Sequence, residues 1–187
     1  MALALRRDPG TRVAEYQVWA ADRPDEERWE LIDGEPAPTP LPSERHQQIV
    51  ANLAVSLSDI AHDRGCRAIP GIAVLSHAMD TFAPIPDMVV RCGPMLRDGY
   101  ARHPILVAEV LSPSTMRRDR GRKTEFYRSI ASLKLFLIVY QDEPRVEVWR
   151  RGADGWTFEA HGLDGAIGRP ELGGDLAVAE IYDDIAF

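Results

Sequence analysis

Two short apolar runs, Ile105–Leu111 and Leu135–Tyr140, limit what this chain can fold into more than any other feature. Both have strand length, and their apolar residues are consecutive rather than alternating. That is the pattern of a strand covered on both faces. Strands of this kind lie in the middle of a sheet, with helices packed above and below it. One residue breaks the pattern. Glu109 puts a carboxylate inside seven residues that otherwise read as sheet interior, and an uncompensated buried charge costs several kcal/mol.

The rest of the chain supplies layers for such a sheet. Ser43 stands at an N-cap position, and Ile49, Leu53, Leu57 and Ile60 form a helical stripe reaching about His62, with Gly65 ending the helix. Extended segments follow around Cys66–Ser76 and Asp87–Arg91. A second helix is predicted from about Met116 to Ile130, after the Ser112-Pro113-Ser114-Thr115 break. Arg145–Arg150 alternates and pairs with Gly155–Glu159 across a glycine-containing turn. Near the N-terminus, Val13–Ala21 has the makings of a short helix. Trp29-Glu-Leu-Ile-Asp-Gly-Glu35 reads as a strand ending in an Asp33-Gly34 hairpin turn. The run Pro36–Pro42, with four prolines, is expected to be an irregular extended loop. The expectation is an α/β chain: a 28-residue N-terminal extension, then a single domain over residues 29–187 built on a mixed β-sheet flanked by helices.

Glu109 needs a compensating group: a cation on a covering helix, a proton, or a metal ion. It stands close to the C-terminal end of its strand, where clefts open in α/β sheets. Asp87 opens the short apolar strand Met88-Val89-Val90, and on its own it would read as an exposed strand-start acid. Two carboxylates on adjacent strands, however, make an oxygen-ligand pair suited to a hard cation such as Mg²⁺. Lys123 shares a helical stripe with Asp119, Phe126 or Tyr127, and Ile130. Because Phe126 and Ile130 should face the sheet, Lys123 is expected to reach the strand ends. A solvated surface lysine is the ordinary alternative. Arg117, Arg118, Arg120, Arg122 and Arg128 make this helix the one dense basic cluster, either a solvated face or a place that draws phosphates.

These residues resemble a known pattern. Pro86-Asp87 followed by Glu109-Val110-Leu111 is similar to the PD-(D/E)xK nuclease motif. More of the chain resembles its bacterial branch of Uma-type putative restriction endonucleases: Trp29–Glu35, His46, Pro86-Asp87, Glu109-Val-Leu-Ser-Pro-Ser-Thr115, Asp119, Lys123 and Tyr127, together spanning about residues 29–150. The resemblance implies a restriction-endonuclease-like core with Asp87 and Glu109 as ligands of Mg²⁺ (or Mn²⁺). It implies Lys123 as the third catalytic residue, because the usual lysine position two residues after the glutamate is Leu111 here. His46 matches a family position on the first helix, for site support or for packing. Asp119 is a candidate support that could pair with Lys123 or a neighbouring arginine. Within the basic cluster, Arg117, Arg118 and Arg122 are the candidate phosphate contacts. DNA is the implied substrate and a homodimer the implied assembly, with Arg145–Glu159 as a guess at its interface. The chain departs from relatives that carry acids around the later strand, having Leu135 and Tyr140 there.

Composition narrows the choice further. A net charge of −7 argues against broad non-specific phosphate binding and leaves room only for a local basic site. It also favours the competing reading of a non-cleaving binding module on the same fold. A third reading is a nuclease acting on RNA, since nothing in the sequence distinguishes ribose from deoxyribose. No apolar run is long enough to cross a bilayer, and no secretory leader is expected from Met1-Ala-Leu-Ala-Leu-Arg-Arg7. Cys66 and Cys92 are expected to be free thiols in a reducing cytoplasm, with a disulfide between them as the alternative. Gly121-Arg-Lys-Thr124 lacks the glycines of a phosphate-binding loop, and the five histidines show no metal-ligand spacing.

Overall fold

The computed structural model describes residues 10–24, 26–111 and 120–187, with every side chain among them except those of Ile60 and Arg120. Helix α1 (Val13–Ala21) begins where the Glu15 carboxylate accepts the Arg12 backbone N–H at 2.9 Å. It buries Val13 and Tyr16 against Leu31, Leu75 and Ala83. Strands β1 (Trp29–Ile32) and β2 (Glu35–Pro38) form a hairpin through Asp33 (φ 54°) and Gly34 (φ 80°), both in the left-handed region that a type I′ turn needs. A Cβ on Gly34 would lie 2.7 Å from the Gly10 Cα, so this position needs glycine on two counts.

The proline run is therefore not wholly irregular, contrary to expectation. With Ile32 opposite Glu35 at the turn, hydrogen-bonded pairs alternate outward, and Pro36 and Pro38 fall opposite Leu31 and Trp29 at the non-bonded positions. A missing N–H costs nothing there, on the open edge of a two-stranded ribbon.

Helix α2 (Glu44–His62) starts at Ser43, whose hydroxyl accepts the His46 N–H at 3.2 Å. Strands β3 (Cys66–Pro70), β4 (Ala73–Val74), β5 (Met88–Cys92), β6 (Tyr100–Ala101) and β7 (Pro104–Leu111) follow. Next come α3 (Arg120–Ser129), β8 (Leu135–Tyr140), β9 (Val146–Gly152) and β10 (Gly155–His161). The chain ends with β11 (Ala166–Gly168), β12 (Asp175–Ala177) and the single turn α4 (Val178–Ile181). The expected start of α3, from Met116, lies outside the described residues.

The main sheet has six strands in the order β10-β9-β8-β7-β5-β3, with β7 and β8 parallel and every other pair antiparallel. This is the mixed sheet flanked by helices that the two apolar runs predict, and those runs are its two central strands. Side chains alternate across the sheet. Leu106, Ala108 and Val110 of β7 face α2, where Ile49, Leu53 and Leu57 are fully buried. Val107 faces α3 with Phe126, Tyr127 and Ile130.

The antiparallel register of β3 and β5 sets Cys66 directly opposite Cys92, and the two are joined in a disulfide. The expectation of free thiols is thereby corrected. Sequence spacing carried no sign of this pairing, because it depends on the cross-strand register.

Candidate active site

The start of β5 and the end of β7 lie side by side, with Met88 opposite Ala108 and Val89 opposite Val107. That register brings Asp87 alongside Glu109 and Val110. One Asp87 carboxylate oxygen accepts the Val110 backbone N–H at 2.7 Å, and the other lies 3.3 Å from His46 Nε2. Alternation along β7 turns Glu109 toward α3, where the Tyr127 hydroxyl donates to its Oε1 at 2.5 Å. Lys123, one turn before Tyr127 on α3, places Nζ 3.4 Å from the same oxygen. The structure thus brings Asp87, Glu109, Lys123 and His46 together at one end of the sheet. Side chains from both covering layers, His46 from α2 and Lys123 and Tyr127 from α3, converge on the strand ends.

The structure adds a residue to which the sequence pattern gives no role. Glu30 of β1 is buried, and its Oε1 accepts both Lys123 Nζ at 2.8 Å and the Ile85 backbone N–H at 2.7 Å. The available signal was a carboxylate between Trp29 and Leu31-Ile32, weaker than that of Glu109 because a four-residue strand reads equally well as half-exposed. Arg122 pairs with Asp33 in the hairpin turn and is not among the residues lining the cleft. Arg117, Arg118 and Asp119 lie outside the described residues.

Electrostatics follow from this crowding. Burial pushes the Glu109 carboxyl up to about 7; Lys123 opposes the rise, while Asp87 and Glu30 add to it. Burial would lower His46, but hydrogen bonding and charge attraction to Asp87 outweigh it and leave the imidazole raised. Burial also raises Tyr127 far above an ordinary phenol, and its neighbour Glu109 adds to the effect, so it stays a neutral donor. Perturbed titratable groups gathered in a cleft make it a candidate functional site.

The cleft has a volume of about 1270 Å³ and is lined by Glu30, His46, Asp87, Glu109 and Lys123. The Pro40-Leu41-Pro42 segment also lines it. Among the described residues, no group of three or more His, Cys, Asp or Glu side chains forms a preformed metal cage. The donor set nevertheless fits a hard cation. Mg²⁺ is commonly held by one or two carboxylates and keeps several waters, and Asp87 and Glu109 bring two carboxylates to one end of the cleft.

Comparison with known proteins places this site in context. A structure described as a putative nuclease belonging to DUF820, from Anabaena variabilis, superposes with a TM-score of 0.72. It covers 91% of this chain and 96% of its own, at 17% identity, which establishes a shared fold. Two uncharacterised proteins of Synechocystis are each 32% identical to the chain. One match covers 54% of this chain and 55% of that relative, so the chain spans little more than half of its length. The other covers 68% and 75%. The family model for Uma2, described as putative restriction endonuclease, matches residues 13–179, from the first residue of α1 into α4. By that match, the chain belongs to the Uma2 family of putative restriction endonucleases.

Proposed function

We propose that the protein is a metal-dependent endonuclease that hydrolyses DNA phosphodiester bonds. One observation carries the reading: two carboxylates on adjacent strand ends, Asp87 and Glu109, share a cleft with the Lys123 ammonium 3.4 Å from Glu109. Asp87 and Glu109 would hold Mg²⁺ (or Mn²⁺), which would supply Lewis-acid stabilisation of charge on the transferring phosphoryl group.

The chain's own groups have separate tasks. His46 and the Val110 amide occupy opposite oxygens of Asp87 and so fix its plane. Tyr127 holds Glu109 through a phenol that burial keeps protonated. Lys123 presents a cation beside Glu109, where it can orient the attacking water or stabilise charge growing on phosphate oxygens. DNA is favoured as the substrate by the family to which the chain belongs. A homodimer would let two such sites cut both strands of a duplex. A cytoplasmic location is part of the same proposal and implies that the Cys66–Cys92 bridge meets a reducing environment in the cell. Arg117 and Arg118 remain the proposed phosphate contacts, with Asp119 as support.

The test is cleavage of plasmid DNA in Mg²⁺ or Mn²⁺ by the wild type beside Asp87→Asn, Glu109→Gln and Lys123→Ala. The reading expects nicking or linearisation by the wild type alone. Equal cutting by all four proteins would reject the assigned site. A wild type that binds DNA and leaves it intact would support the non-cleaving module, and cleavage confined to RNA would change the substrate.

A further inference from the structure

We infer that Glu30 is a positioning residue of this site, the one that acts on Lys123. It anchors the Lys123 ammonium independently of Glu109, and so makes the N-terminal hairpin part of the catalytic apparatus. The inference rests on the nuclease reading for its catalytic part only; the anchoring stands on geometry.

Glu30 is held from three directions. Its strand is tied to the segment before Asp87 by the Leu31–Ala83 bridge, with backbone hydrogen bonds of 3.2 and 2.8 Å. Gly34 N–H donates to the Thr81 carbonyl at 2.8 Å and fixes the far end of the same ribbon. The carboxylate itself accepts the Ile85 N–H, two residues before Asp87. A carboxylate held by a backbone donor and a strand bridge has little freedom left, and so makes a rigid reference point for a flexible lysine.

Two acidic neighbours of Lys123 among the described residues differ in kind. Its contact with Glu30 is a charge-assisted hydrogen bond of 2.8 Å, whereas Glu109 lies at 3.4 Å. All three side chains are nearly buried, at 12% exposure for Lys123 and Glu30 and 11% for Glu109, so solvent screens the shorter contact little. Glu109 has other demands on it: the Tyr127 hydroxyl, the repulsion of Asp87, and the proposed cation. A lysine held only by Glu109 would shift whenever Glu109 turned to a metal. Glu30 removes that dependence by holding the ammonium in place whether or not Glu109 is engaged. The same carboxylate links β1, the turn leading into Asp87, and α3, and so couples the positions of the acid pair and the lysine.

The test reads Lys123 directly. In ¹⁵N-detected or heteronuclear in-phase NMR of lysine ammonium groups, a buried, hydrogen-bonded Lys123 should give a resolved, slowly exchanging Nζ signal, assigned by its loss in Lys123→Arg. That signal should persist in Glu109→Gln and vanish in Glu30→Gln. Persistence in Glu30→Gln would overturn the inference, as would loss in Glu109→Gln with retention in Glu30→Gln. Backbone amide spectra report whether each variant is folded. If Glu30→Gln fails to fold, Glu30→Asp, which keeps the charge but withdraws it by one methylene, should broaden or lose the signal; an unchanged signal there overturns the anchor.

The catalytic part is read by Mn²⁺ binding followed by electron paramagnetic resonance and by cleavage kinetics. Glu30→Gln should leave Mn²⁺ affinity unchanged and lower kcat about 10- to 100-fold with little change in KM. A parallel loss of Mn²⁺ affinity would make Glu30 a ligand and reject the positioning role. If the wild type cleaves no phosphodiester, the proposed function fails, and the NMR and Mn²⁺ results still decide the anchor.

Discussion

Replacing Glu109 with glutamine should stabilise the metal-free protein at alkaline pH, which is the reverse of what removing a structural ion-pair partner does. In the folded protein the Glu109 carboxyl is pushed up to about 7 from an ordinary 4.5, first by burial and then by Asp87 and Glu30, against the pull of Lys123. Between those values the folded state holds the proton and the unfolded state does not. The contribution is therefore fully present below about pH 4.5 and is lost as pH rises through about 7. The whole loss is on the order of 3 kcal/mol. Glutamine keeps the shape and cannot ionise, so it escapes that loss.

Thermal melts in EDTA should thus show Glu109→Gln matching the wild type near pH 4.5. At pH 8.5 it should exceed the wild type by about 3 kcal/mol, a Tm difference of roughly 6 to 12 °C for a chain of this size. Comparing variant with wild type at each pH cancels the other titrating groups. Saturating Mg²⁺ or Mn²⁺ should then raise the wild type and leave the variant unmoved. A variant destabilised at pH 8.5, with no pH dependence to the difference, would mean that Lys123 compensates Glu109 in full, and the reasoning from an unmet charge would be wrong.

Three further outcomes follow from the same contacts. Tyr127→Phe removes the donor to Glu109 and should weaken Mn²⁺ binding about 10- to 100-fold by calorimetry, with the fold intact. Leu53→Ala, at a fully buried position on α2, should cost about 2–5 kcal/mol in urea melts, because the rigid sheet beneath cannot collapse into the space. Reducing the Cys66–Cys92 bridge, which joins residues 26 apart in sequence, should cost about 3 kcal/mol by the chain-entropy account. Intact mass after alkylation without reductant should show no modified thiol, and a doubly alkylated product would contradict the bridge.

What could be read in advance was local. Glu109 announced itself because seven consecutive residues share one environment that a carboxylate does not suit. Lys123 followed from the spacing that must place Phe126 and Ile130 on the sheet. The Asp33-Gly34 turn and the Ser43 cap are properties of two to four adjacent residues. What escaped depends on partners distant in sequence. Glu30 is buried by Lys123, 93 residues away, and Cys66 meets Cys92 through a register that no spacing rule encodes. Pro36 and Pro38 give no strand signal of their own, because their place in a ribbon depends on which pairs around the turn are hydrogen-bonded. The short strands β11 and β12 have few residues over which any period could show, and their buried Ile167 and Leu176 acquire meaning only on the α2 side of the core.

Mn²⁺ soaked into crystals of the wild type and of Asp87→Asn, with anomalous data collected on both, tests the central claim most directly. The account predicts one manganese peak within bonding distance of both Asp87 and Glu109 in the wild type, and none there in the variant. Manganese bound elsewhere, or a cleft that stays metal-free at saturating Mn²⁺, would contradict it.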